Sequence, residues 1–177
     1  ESVFLSNIDP VVNKQVLSQL DLDETLFIFI SKSGTTLETK LNLDYIYEYV
    51  VSKGKKSDYF NYHAVAVTCP KTELDTKHMF YDCFYLDNTI GGRFSATSAV
   101  GLLILSIVYG PSVCEELCKG AYLMDKVSQE KELLKNPALL DAALKVWHQS
   151  ILGLSDMVLI PYRETLKSFI SHIQQLF

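Results

Sequence analysis

Excess positive charge is what this sequence most lacks: 16 Lys and Arg stand against 21 Asp and Glu, a net charge of −5 at pH 7. That balance argues against a general affinity for nucleic acid or anionic membrane. An anionic ligand has to be held by local features, such as a helix N-terminus or a single placed cation. Long apolar runs are missing too. The longest, residues 96–109, is interrupted by Ser98, Gly101 and Ser106 and is shorter than the roughly 18 residues of a membrane span. The chain has no initiator Met, and neither end has the pattern of a signal peptide. A soluble, cytoplasmic protein is expected, with both ends reading as cuts through structure.

Metal-binding and nucleophilic patterns are equally scarce. The four cysteines, Cys69, Cys83, Cys114 and Cys118, lack a His pair that would complete a zinc pattern and read as reduced core thiols. His63, His78, His148 and His172 are scattered, and no Ser/His/Asp or Cys/His grouping has readable spacing. Each reads as structural, and Trp147 reads as core or interface.

What is present is an ordinary globular composition, 48% apolar and 21% charged over 177 residues, enough for one domain or parts of two. Short apolar runs alternate with helical periodicity. Val3 to Ser6, Leu26 to Ile30, His63 to Cys69, Met79 to Leu86 and Met157 to Ile160 read as strands. Asp9-Pro10 and Asn136-Pro137 each place a capping side chain before a proline that opens a helix. Val12, Val16 and Leu20 follow the first cap at helical spacing. Thr35 and Glu38 have capping-box spacing, and Leu37, Leu41, Tyr45 and Tyr49 form one face of a helix ending near Gly54. A very apolar helix is expected from about Ser95 to Tyr109, and another from Tyr162 to the end. The alternation predicts an α/β fold, a three-layer α-β-α sandwich around a mainly parallel sheet.

Two segments carry chemistry, each between a strand and a helix. Ser31 to Thr36 offers the hydroxyls of Ser31, Ser33, Thr35 and Thr36 around a turn made permissive by Gly34. The following helix adds free N–H groups and the positive end of its dipole. This suits a phosphate monoester, although a plain helix cap accounts for the local pattern as well. The spacing of a nucleotide P-loop is absent. In the second segment, Gly91 and Gly92 allow close backbone approach, and Arg93 can offset negative charge developing on an oxygen. A tight turn bearing a surface arginine is the competing reading.

The run Phe29-Ile30-Ser31-Lys32-Ser33-Gly34-Thr35-Thr36-Leu37-Glu38-Thr39 resembles the phosphate-binding segment of the glucose-6-phosphate isomerase family. Residues 88–101, with Gly91-Gly92-Arg93-Phe94-Ser95 at their centre, resemble that family's signature around its catalytic arginine. Phe4 to Asp9, Leu159 to Tyr162 and Ile173 to Gln175 fall in matching order, so the resemblance spans nearly the whole chain. Ala96 departs from the larger residue usual there, which is expected to affect packing only.

The resemblance implies a sugar-isomerase (SIS), flavodoxin-like sheet that is incomplete because an upstream strand is missing. Residues 1–153 are then most of a first SIS domain with its following helices, and 154–177 begin a second. It implies phosphate binding by the hydroxyls of Ser31, Ser33 and Thr36 and the backbone of Lys32. Gly92 and Arg93 would face the reacting carbons, with Arg93 stabilising a cis-enediolate, and Gln175 would border the site. The parent would interconvert glucose 6-phosphate and fructose 6-phosphate in glycolysis and gluconeogenesis. It would act as a homodimer without metal or redox cofactor. The family's catalytic glutamate, histidine and lysine are expected beyond Phe177, so the piece alone should be inactive. A non-catalytic sugar-phosphate-binding module explains Ser31 to Thr36 equally well but leaves Gly91-Gly92-Arg93 without a role.

Overall fold

The structure, a computed structural model, describes residues 2–76 and 78–177. Its contacts divide the chain into two units, residues 1–108 and 109–177. In the first unit α1 (Pro10–Ser18) is followed by β1 (Phe27–Ile30), α2 (Leu37–Ser52), a one-turn α3 (Phe60–His63), β2 (Ala64–Thr68) and β3 (Asp82–Tyr85). A 3-10 segment, Gly92–Thr97, leads into α4 (Ala99–Tyr109). The three strands form one parallel sheet in the order β1-β2-β3, with Phe29 opposite Ala66 and Ala66 opposite Cys83.

Both faces of the central strand are covered, as parallel pairing favours, whereas Phe84 and Tyr85 of β3 stay exposed. All five residues of the central strand β2 are buried. On one face Ala64 and Ala66 leave room for the rings of Phe27 and Phe29 and for Phe60 and Phe80. Phe60 is 1% exposed and lies 5.5 Å from the Phe29 ring and 5.9 Å from the Phe27 ring. Leu17 of α1 and Leu43, Ile46 and Val50 of α2 close this layer. On the other face Val67, Cys69 and Leu86 pack with Ile28 and Ile30 against Ala99, Val100 and Leu103 of α4. The expected layered α/β class with a parallel sheet is therefore what forms, with three strands among the described residues.

Several expected elements differ. Val3 to Ser6 is not a strand; Val3 and Phe4 are 51% and 70% exposed. A short apolar run becomes a strand only where a neighbour supplies a ladder. Here the Leu5 and Asn7 carbonyls instead accept from the Asn42 side chain. Met157 to Ile160 is likewise irregular, and exposed except at half-buried Leu159. Strand β3 spans only Asp82–Tyr85, with Tyr81 and Leu86 N–H adding flanking bonds to the Ala64 and Thr68 carbonyls, while Met79 lies in a turn and Phe80 in a bend.

The helices bury a neighbouring stripe most deeply, while Leu20, Tyr45 and Tyr49 of the expected faces pack half-buried against the core. On α1 the buried residues are Asn13 and Leu17, while Val12 is exposed. On α2 they are Asn42, Leu43, Ile46 and Val50, with Leu37 and Leu41 exposed. Tyrosines suit a rim better than a core because the hydroxyl needs a partner; Tyr49 donates to the Leu17 carbonyl at 3.2 Å. The apolar stretch expected as one helix from Ser95 is split at Ser98, which is extended. Gly101 permits this fold-back, since a Cβ there would lie 2.1 Å from the Ala96 oxygen. Residues 92–109 together have the length and hydropathy of a membrane span. The regular helix within them has 11 residues and covers only about 16 Å of the roughly 30 Å hydrocarbon core.

The second unit is helical: α5 (Pro111–Val127), α6 (Pro137–Ser150) and α7 (Lys167–Leu176), with 3-10 turns at Leu133–Lys135 and Glu164–Leu166. Helix α7 thus begins later than Tyr162, after its own 3-10 turn. Asn136 ties this unit together. Its side-chain oxygen accepts from Leu139 N–H, and its amide donates to the Ser128 and Glu130 carbonyls.

Replacing Phe60 with Ala should lower stability by about 3–5 kcal/mol, because the four surrounding rings cannot close the cavity left behind. Urea denaturation measures this; a loss below about 1 kcal/mol would show that the ring cluster does not set the core.

Candidate functional site

The carboxyl end of β1 delivers Ser31 into a tight loop that hydrogen bonds in from several sides. Ser31 N–H continues the ladder to the Val67 carbonyl at 3.1 Å. Its hydroxyl lies 2.8 Å from the Thr36 hydroxyl and accepts from Gly34 N–H at 3.1 Å. Across the loop mouth Ser33 and Thr35 pair their hydroxyls at 2.8 Å. Gly34 has φ of +69°, and a Cβ there would meet Glu73 N and Leu74 N at 3.0 Å. Backbone conformation and close approach thus both demand glycine at this point.

Thr36, not Thr35, is the N-cap of α2, and its side chain makes no capping bond to the helix. Its hydroxyl is paired with Ser31 instead. The first intrahelical bond runs from Lys40 N–H to the Thr36 carbonyl at 3.0 Å. The amides of Leu37, Glu38 and Thr39 therefore precede the helical ladder and are uncapped by Thr36, a cluster of donors suited to an anion.

A cavity of about 370 Å³ opens beside this loop, lined by Lys32, Ser33, Thr36, Cys69, Pro70, Thr72 and Asn88. Lys32, Ser33 and Thr36, all expected from the sequence, share one site. Ser31 supports it from beneath; it is 4% exposed and does not line the cavity. Gly92 and Arg93 begin the 3-10 segment a few residues beyond Asn88 and are exposed, but do not line this cavity. Ser95 anchors that segment through a 2.6 Å bond to the Gly92 carbonyl. Gln175 lies exposed on α7 of the second unit.

Sequence reasoning missed Cys69, Pro70 and Thr72 as lining residues. The signal was their position, immediately beyond the carboxyl end of β2, where open α/β sheets bind ligands. Asn88 fell within the quoted signature but was given no role. Beside it, Asp87 accepts from Thr89 N–H at 2.7 Å and from the Thr89 hydroxyl at 2.6 Å. These bonds, aided by the nearby Lys32 charge, hold its carboxyl below the ordinary carboxylate range.

Two outcomes check this local picture. Gly34→Ala should cost about 1–2 kcal/mol from the left-handed backbone alone, read as a lower denaturation midpoint. Because the Asp87 pKa is depressed, its bonds to Thr89 persist at neutral pH and are lost as pH falls through the folded-state value. Thr89→Val should raise the Asp87 midpoint in an NMR titration; an unmoved midpoint would remove Thr89 as the cause.

The phosphoglucose isomerase family model matches residues 1–177, the whole chain. The chain is 37% identical to a glucose-6-phosphate isomerase of Chlamydia abortus over 97% of its own length and 32% of that protein's. It is 39% identical to the glucose-6-phosphate isomerase of Treponema pallidum over 98% of its own length and again 32% of the relative's. Among solved structures, a glucose-6-phosphate isomerase from Chlamydia trachomatis superposes with a TM-score of 0.89 at 38% identity, covering 96% of this chain and 32% of that one. A hypothetical protein from Thermus thermophilus gives 0.69 at 26% identity, covering 84% of this chain and 35% of that one. The chain thus spans about a third of the length of the relatives it matches.

Proposed function

The chain belongs to the phosphoglucose isomerase family, and from that membership we propose that its parent protein interconverts glucose 6-phosphate and fructose 6-phosphate. The observation that carries the reading is the loop at the carboxyl end of β1. Its hydroxyls and the uncapped amides of α2 form an anion cradle in a protein of net negative charge. The substrate phosphate is held by Ser33, Thr36 and the Lys32 backbone, with Ser31 fixing the loop under it.

Anchoring the phosphate positions the reacting carbons against a fixed base, which replaces an encounter in solution with a nearly intramolecular step. A carboxylate removes a proton from one carbon of the open-chain sugar. The electron pair moves to make the cis-enediolate, the carbon-bound proton returns to the adjacent carbon, and the hydroxyl proton passes from the oxygen that becomes the carbonyl to the one that was the carbonyl. No net oxidation occurs. Arg93 offsets the charge on the enediolate oxygen, and Gly92 lets the backbone approach it. The base is expected from a part of the parent beyond this chain, so the 177-residue piece alone is inactive. Residues 1–153 belong to the first SIS domain and 154–177 begin the second, with Gln175 bordering the completed site. The parent is a cytoplasmic homodimer of glycolysis and gluconeogenesis that needs no cofactor and takes neither nucleic acid nor membrane as partner. A non-catalytic sugar-phosphate-binding module is not favoured, since the relatives are isomerases and such a module leaves Gly91-Gly92-Arg93 unexplained.

The test is a coupled assay of the full-length protein without added metal. Arg93→Ala should lower kcat about 100- to 1,000-fold while KM moves only a few-fold. Unchanged kcat would remove Arg93 from the mechanism. Turnover by the isolated 177-residue chain would contradict the assignment of the base elsewhere.

A further inference from the structure

The loop described above is held from outside by the end of β2 and the turn that follows it, residues 68–74. Thr68, the last residue of that strand, is completely buried, an unusual place for a hydroxyl without a task. Its Oγ1 lies 2.7 Å from Thr72 Oγ1 and 3.5 Å from the Lys32 carbonyl. Thr72 in turn donates to the Cys69 carbonyl at 3.0 Å, and Cys69 N–H donates to the Lys32 carbonyl at 3.1 Å.

Each threonine hydroxyl has one proton. With Thr72's proton on Cys69, the short contact between the two hydroxyls takes Thr68's proton to Thr72. The pair thereby clamps the turn that holds the Lys32 carbonyl. A trans peptide is planar, so pinning that carbonyl also fixes the direction of Ser33 N–H in the same unit. The same turn approaches the loop a second time, since a Cβ added at Gly34 would meet Thr72 Cβ at 3.1 Å and the Glu73 and Leu74 nitrogens at 3.0 Å.

We infer that Thr68, acting through Thr72, is a positioning residue for the anion cradle: the buried hydroxyl pair sets the Lys32–Ser33 peptide in its ligand-binding orientation. This rests on the reading of Ser31 to Thr36 as a phosphate site. Thr68 touches no ligand itself. Its removal therefore weakens phosphate binding by loosening the loop, and affects the chemical step much less.

The experiment uses the full-length protein with inorganic phosphate and fructose 6-phosphate as probes. Thr68→Val keeps the side-chain volume while removing the hydroxyl, and should weaken phosphate binding about 5- to 10-fold. KM should rise by a similar factor while kcat changes less. Amide exchange across residues 31–36 should quicken. Thr68→Ser restores the hydroxyl and should return affinity to within about twofold of the parent. Failure of Ser to rescue would assign the effect to the methyl group and overturn the inference. Should Thr68→Val not fold, Thr72→Val with Thr72→Ser as its rescue carries the same expectation. Thr36→Val separates the two levels of the argument. If it weakens phosphate binding and Thr68→Val does not, the positioning role falls and the site stands. If neither variant changes phosphate affinity, the phosphate site itself is wrong, and the inference falls with it.

Discussion

The parallel pairing of β1 with β2 is the interaction on which the rest of the first unit depends. It holds two strand ends side by side, so that the loops leaving them meet. The ladder continues past the strand through Ser31 N–H to Val67 and Cys69 N–H to Lys32. That extension joins the hydroxyl-rich loop to the turn after β2. The pairing survives because β2 is buried on both faces, by aromatic rings on one side and α4 on the other. A central strand of small and branched residues is the condition for that packing. Larger side chains at Ala64 or Ala66 would collide with the rings that occupy the space above them.

A loop lined by hydroxyls and first-turn amides suits an anion without a cluster of cations, which makes the proposed phosphate site compatible with an acidic chain. Its donors are hydroxyls and backbone amides already oriented by the fold, so little reorganisation is required when a ligand arrives. Thr36 shows how the local chemistry serves this end. A threonine at an N-cap ordinarily spends its oxygen on its own helix. Here Ser31 takes it, which removes a competitor for the first-turn amides of α2.

The division of labour along the chain follows from the same geometry. The hydroxyls of Ser31, Ser33, Thr35 and Thr36 lie on one loop and can be organised locally. Arg93 sits on a separate 3-10 segment that is braced by Ser95 and shaped by the close approach at Gly101. The proposed isomerisation requires the two at a set distance, one for an inert group and the other for the reacting carbons. Two strand-to-helix junctions of one parallel sheet meet that need, because both open on its carboxyl edge.

Local signals were legible from the sequence because their causes are local. Asp9-Pro10 and Asn136-Pro137 cap the helices they were expected to cap, and Ser31 to Thr36 sits between a strand and a helix as its composition indicates. The family signature around Gly91-Gly92-Arg93 was equally plain. What the sequence left open was decided by partners distant along the chain. Val3 to Ser6 and Met157 to Ile160 have strand composition but no ladder among the described residues. Helix α2 carries two apolar stripes of the same period, and only the sheet selects the one bearing Leu43, Ile46 and Val50. Thr68 and Thr72 look like ordinary strand and turn residues until the turn closes on Lys32. Sequence alone thus determined the elements whose hydrogen bonds span a few residues. Tertiary structure decided those whose backbone or side-chain partners had to be brought in from elsewhere.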